Sequence, residues 1–287
     1  MKKIYLLVLI IIICGFQVNA QTAAVDTSWK KGGFIGLNFT QVNLSQWAQG
    51  GENSIALSSG ANLFANYIKG KVDWQNSLDL AYAMIKSGDA SLKKSDDKID
   101  FTSKYSRKFS DHWLYGMLIN FKSQFAEGFH YPNDSIFVSK FISPAYLTLA
   151  LGLTYKPVDY FEVFISPATG KWTFVNDKIL SDLGAYGVDP GKTVRSELGA
   201  YLNMKFKKEL MENVTFSTKL ELFNNYTDKN KDNAKKVDVN WENMLTLKVN
   251  KYITASITTQ LLYDANVVER TQFKETIGVG FGYKFGK

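Results

Sequence analysis

Thr271 to Phe285 reads TQFKETIGVGFGYKF. From Ile277 it alternates without a break. Ile277, Val279, Phe281, Tyr283 and Phe285 fall on one face, and Gly278, Gly280, Gly282 and Lys284 on the other. Successive strand side chains point to opposite faces, so one face is apolar and aromatic while the other is small and polar. In a soluble sandwich the apolar face would pack on a second sheet. In an outer-membrane barrel it meets lipid, and the small face lines the lumen.

The same pattern recurs upstream. Val72, Trp74, Leu78, Leu80, Tyr82 and Met84 share a face, against Asp73, Gln75, Ser77, Asp79, Ala81 and Ala83. Ala145, Leu147, Leu149, Leu151, Leu153 and Tyr155 form another apolar row. Short turns are expected at Lys69–Lys71, Ser110–His112, Lys156–Asp159, Lys207–Asn213 and Asn250–Lys251. Longer polar loops are expected at Ser45–Asn53, Lys86–Asp97, Ala126–Lys140, Ser166–Lys192, Asn224–Lys236 and Asp264–Arg270. Short periplasmic turns alternating with long outer loops, and an even strand count, are the marks of a bacterial barrel. The prediction is an all-β fold: a transmembrane antiparallel up-and-down barrel of about twelve strands. A soluble sandwich would also alternate but need not show this loop asymmetry.

Residues 1–20 read as a cleaved signal peptide, with Lys2 and Lys3, an apolar run from Ile4 to Cys14, and Val18-Asn19-Ala20 as the cleavage site. The barrel is then 21–287, exported to the outer membrane. Cys14 is the sole cysteine, so the mature chain would hold no disulfide. The net charge is +7, and the basic residues are scattered rather than striped, which argues against nucleic-acid binding.

The polar faces carry Asp73, Asp79, Asp100, Lys104, Lys122, Glu197, Lys205, Lys219, Glu221, Asp238, Glu242 and Lys248. These are the candidate pore-lining residues. The opposite reading is a plug of cross-strand ion pairs in a narrow barrel, because about twelve strands fall between side-chain-filled and channel-sized barrels. Counting from the turn at Lys251 places Lys219 and Glu242 at the same height on neighbouring strands. Trp47 and Trp172, in expected outer loops, are candidate contact residues for a protein partner.

A hydrolase would commonly need a His near a nucleophile. His112 falls in a periplasmic turn and His130 in an outer loop, and neither has a nucleophile at a recognised spacing. No catalytic residue, metal ligand set or cofactor motif is identified. Gly191-Lys192-Thr193 lacks the earlier glycine of a phosphate loop, since Tyr186 stands there.

The terminal run, ending in an aromatic followed by Gly286 and Lys287, resembles the closing strand of bacterial outer-membrane barrels. Two blocks, LNFTQVNLSQWAQGGENSIAL (Leu37 to Leu57) and SPAYLTLALGLTYKPVDYFEVFISPATGKW (Ser143 to Trp172), resemble an uncharacterised outer-membrane family of Bacteroidetes catalogued as a domain of unknown function. The resemblance implies a barrel and a location, and no activity. The functional reading is a narrow channel or transporter for small solutes. The alternatives are a structural or assembly partner in an outer-membrane complex, and a lipid-modifying hydrolase. Expected partners are outer-membrane lipid and lipopolysaccharide, the barrel-assembly machinery, and proteins meeting the outer loops.

Overall fold

The computed structural model describes residues 28–45, 52–131 and 133–286. The signal-peptide segment and Trp47 lie outside them. The strands are β1 (Trp29–Val42), β2 (Ser54–Lys69), β3 (Val72–Ser87), β4 (Lys93–Lys108), β5 (Trp113–Ser123), β6 (Gly128–His130), β7 (Asn133–Ser139), β8 (Ala145–Val158) and β9 (Phe161–Phe174). They continue, after the helix α1 (Lys178–Asp182), as β10 (Val194–Met211), β11 (Val214–Asn225), β12 (Asp238–Lys248), β13 (Ile253–Asp264) and β14 (Val268–Gly286). Apart from β6 and β7, which pair only with each other, these strands close an antiparallel barrel of twelve, each paired with its neighbour in sequence. Five tight turns, at 70–71, 109–112, 159–160, 212–213 and 249–252, lie at one end, called here the turn end. The other connections lie at the opposite end, the loop end, and all but the one at 265–267 are longer.

The outer wall is apolar, as the alternation requires. Leu149, Leu151 and Leu153 of β8 and Ile277, Val279 and Phe281 of β14 all point outward and are exposed. A soluble chain would not leave so wide a belt of apolar side chains in water. Polar groups on this face are paired within it. Trp241 donates its indole N–H to Thr218 at 2.9 Å, Trp74 donates to Ser103 at 3.0 Å, and Asn243 donates to Thr259 at 3.3 Å. Such pairing is what a low-dielectric surrounding demands. Aromatic clusters ring the turn end: Trp29 with Tyr67 and Trp74, Trp113 with Tyr155, and Phe206 between Tyr160 and Phe216.

β1 and β14 close the barrel from Gly32–Gly286 to Asn38–Gly280. The alternating glycines of β14 serve a close approach there. The Phe34 ring lies against Gly282 and the Asn38 side chain against Gly280, so a Cβ at either glycine would overlap them.

Three expected loops are shorter than the sequence suggests; Asp264–Arg270 shrinks to residues 265–267, because Asp264 of β13 already pairs with Val268 of β14. Lys86–Asp97 was expected to be a long loop, but β3 runs to Ser87 and β4 starts at Lys93. Ser166–Lys192 was expected to be the longest loop, but β9 runs on to Phe174 through a bulge. Ser166 pairs with Tyr201 and Thr169 with Gly199, so β9 carries one extra residue there. Pro167 sits in the bulge, where its missing N–H costs no ladder bond. Thr169 donates to the Ser166 hydroxyl at 2.8 Å, and that hydroxyl lies 2.7 Å from the Leu151 carbonyl. Trp172 is therefore a strand residue. It packs across Gly170 on the outer wall and is not in a loop.

Candidate functional site: a divided lumen

The interior is not uniform. On β4, β5 and β8 to β11 the inward side chains are packed shut. Leu118, Ala150, Phe164, Tyr201 and Phe223 form an apolar cluster inside the barrel. Asp100, Lys104, Asn120, Glu162, Glu197 and Glu221 are buried beside it. Burial of so many charges requires that each be paired, and they are, in three tiers.

Near the turn end, Lys104 and Glu162 meet at 2.8 Å, with Lys205 at 3.9 Å and a hydrogen bond from Gln75 at 3.2 Å. Lys156 approaches Asp73 at 3.5 Å. In the middle tier, Glu221 takes Lys122 and lies 3.4 Å from Lys219. It also accepts from Tyr201 at 2.8 Å and Asn240 at 2.9 Å. Lys219 lies 3.1 Å from Asp100, which accepts from Asn120 at 2.6 Å. Near the loop end, Lys171 meets Asp238 at 2.8 Å, Asp264 at 3.6 Å and Glu197 at 3.9 Å. Arg195 lies 2.8 Å from Glu197, which accepts from Asn225 at 2.9 Å.

Several of these pairs cross the lumen. Lys122 is on β5 and Glu221 on β11; Lys219 is on β11 and Asp100 on β4. Lys98 of β4 reaches Glu242 of β12 at 2.7 Å. This last pair, with Lys219–Asp100, forms a partition across the barrel.

Beyond the partition lie β13, β14, β1, β2 and β3, and their inward side chains are different. Asn38, Ser58, Ser77, Ser256, Thr258 and Gly278 are small, uncharged and half-buried. Of the expected interior residues, Asp73 and Asp79 lie on β3; Asp73 belongs to the turn-end tier, and Asn62 donates to Asp79. The barrel thus holds a packed half and a less crowded side, the lane, lined mainly by hydroxyls, amides and glycine, with the rings of Phe34 and Phe64 toward its turn end.

Of the expected interior residues, Asp73, Asp100, Lys104, Lys122, Glu197, Lys205, Lys219, Glu221, Asp238 and Glu242 join the paired tiers. Lys248 is exposed at the turn end of β12. Lys219 and Glu242 are direct register partners. Yet the carboxylate of Glu242 is held by Lys98 across the barrel, not by Lys219. Lys98 escaped the sequence reading because KKSDDK looks like loop, and Lys171 because the bulge breaks the alternation before it. Glu162 was visible from parity alone, opposite Phe161 and Val163. His112 and His130 stand at opposite ends of the barrel, in the 109–112 turn and on β6.

The loop end above the packed half carries a built cap. Val175, Leu180 and Val188 are buried together, with Phe137 and Tyr186 against them. Tyr186 donates to the Val138 carbonyl at 2.7 Å, and burial pushes its phenol up to about 12. Asp177 caps α1, accepting from the backbone of Ile179 at 2.9 Å and Leu180 at 3.2 Å, and pairs with Lys140 at 3.1 Å. Burial raises its carboxyl, but those hydrogen bonds and Lys140 outweigh it and hold the group below its ordinary value. A depressed carboxylate stabilises above its unfolded pKa, and that contribution is lost as pH falls through the folded value. Acidification through the carboxylate range is therefore expected to lower the protection factors of the amides in 178–183, taken against the intrinsic exchange rate at each pH. Asp177→Asn should flatten that pH dependence. Protection factors independent of pH in the native chain would show that Asp177 does not hold the cap.

A family model described as "Protein of unknown function (DUF3078)" matches residues 39–129. This covers the first block quoted above from Phe39 onward and none of the second. No curated protein matches the chain. Among solved structures, the NanC porin is similar with a TM-score of 0.42 and 11% identity, over 87% of this chain and 98% of that one. An outer membrane channel from Pseudomonas putida F1 is similar with a TM-score of 0.42 and 11% identity, over 93% and 99%. Outer membrane phospholipase A from Escherichia coli is similar with a TM-score of 0.37 and 12% identity, over 88% and 96%.

Proposed function

We propose that this chain is an outer-membrane barrel that passes small, uncharged polar solutes through the lane between β12 and β4. The reading includes export by a signal peptide cut after Ala20, the turn end facing the periplasm, and kinship with the Bacteroidetes family of unknown function. The observation that carries it is the division of the lumen. A barrel used only as a closed structural element would pack its interior on every side. Here one half is packed and stitched, and the other is left half-buried and hydroxyl-lined. Hydroxyls and amides replace the hydration of a neutral solute without fixing an ion, and the paired charges form the rigid wall against which it slides.

Planar-bilayer recording tests this. The native barrel should give a small conductance, and Ser256→Trp, which fills the lane, should remove most of it. Lys98 and Glu242 stand at the partition with part of each side chain exposed toward the lumen. Lys98→Gln leaves a net negative wall and should raise cation preference, whereas Glu242→Gln should lower it. A silent bilayer for the native protein would overturn the channel reading. Its place would go to a structural role, for which the cross-lumen pairs and the loop-end cap are already suited. With His112 and His130 at opposite ends, the hydrolase reading has no observation in its favour.

A further inference from the structure

The barrel closes along only part of its seam. β1 continues past Asn38 to Val42 against β2, and β14 extends back to Val268 against β13. Extending the register would set Thr40 opposite Gly278 and Gln41 opposite Ile277, yet the β1–β14 pairing ends at Asn38–Gly280. Among the described residues, 268–279 have no strand on their β1 side, and 269–277 are exposed on both faces. The result is a notch in the loop-end half of the wall.

Backbone groups cannot be left bare against hydrocarbon, so water or a polar ligand group must meet this edge. A further strand is a poor occupant. Glu269, Arg270, Lys274 and Glu275 lie along the edge, and charges of this kind oppose strand addition. The notch opens onto the lane, where Asn38, Ser58, Ser256 and Gly278 face inward. Its lips carry Phe39, Phe273, Ile277 and Val279 exposed on the outer wall, with Glu275 between Phe273 and Ile277. Above the lane, Lys274 of β14 reaches across to Asp96 of β4 at 2.9 Å. An ion pair therefore spans the axial exit, while among the described residues no strand covers the lateral one.

We propose that this notch is a lateral exit between the lane and the loop-end leaflet, used by a slender uncharged amphiphile. A hydroxyl-bearing head would travel among the lane's hydroxyls and amides, and a single alkyl chain would pass between Phe39, Ile277 and Val279. This rests on the channel reading above and names the solute class for it.

Two measurements test it. The first bridges the notch with Gln41→Cys and Ile277→Cys, joined by a disulfide or a short dithiol linker. Both positions are exposed and lie on the outward parity of their strands, so the bridge spans the notch without entering the lane. In proteoliposomes, bridging should abolish transfer of a monoacylglycerol while leaving bilayer conductance unchanged, and reduction should restore transfer. Unchanged transfer with the bridge formed overturns the lateral exit. Absence of conductance in the unbridged protein overturns the channel reading instead. The second follows amide exchange of the native chain in lipid nanodiscs. Residues 269–277 should exchange fast and 280–286 slowly. Equal protection would mean that a partner strand or second copy covers the edge, and would overturn the proposal even if the bridge fails to form.

Discussion

Replacing Glu221 with alanine is expected to lower the unfolding free energy by about 3–5 kcal/mol, the range for removing one member of a buried ion pair. Glu221 is buried, takes Lys122 from across the barrel, and accepts from Tyr201 and Asn240. Its loss strands the ammonium of Lys122 and the Tyr201 hydroxyl together. Lys219 keeps Asp100 at 3.1 Å, which points to the lower end of the range. Glu221→Gln retains an acceptor for Tyr201 and should cost less. Urea unfolding in lipid vesicles reads the difference. A cost below about 1 kcal/mol, the usual scale of an exposed pair, would show that the middle tier is hydrated rather than packed.

Leu149→Arg is expected to cost about 2–4 kcal/mol, the value for a cation facing lipid near the bilayer midplane. Leu149 points outward from the middle of β8, between Ile119 of β5 and Gly170 of β9. Thr148 points inward, so Thr148→Ser should stay within about 0.5 kcal/mol. The same unfolding assay compares the two. Equal small effects would mean that Leu149 does not meet lipid.

Strand faces were legible because lipid imposes a period of two on every strand it touches. β8 and the second half of β14 follow it without interruption, and the tight turns stood out as Lys-Gly-Lys, Ser-Asp-His and Asn-Lys. The register of Lys219 with Glu242 followed from counting off one such turn. Strand ends were less legible where no lipid constrains them. KKSDD at the start of β4 is polar on both faces, so its strand character comes from pairing with β3 rather than from pattern. SPATGKW was hidden by the bulge, which shifts the alternation and carries Pro167 and Gly170. The division of the lumen was not legible at all. Alternation tells which way a side chain points, but not which strand it meets across a closed barrel. Lys98–Glu242 and Lys122–Glu221 join residues far apart in sequence, and only closure brings them together.

The two halves of the lumen also differ in how the chain reaches them. Every strand of the packed half lies in one unbroken segment, 93–225, whereas the lane wall is assembled from both ends of the barrel, β1 to β3 and β13 to β14. The packed segment carries its own apolar cluster and most of its own ion pairs, and its strand pairings are between near neighbours in sequence. The lane wall depends on a junction between the first and last strands, the costliest loop closure in the molecule. A nascent barrel can therefore consolidate its dense side while its ends are still apart. The side proposed to pass solutes is then the last to be built, and the short seam between β1 and β14 is where construction finishes.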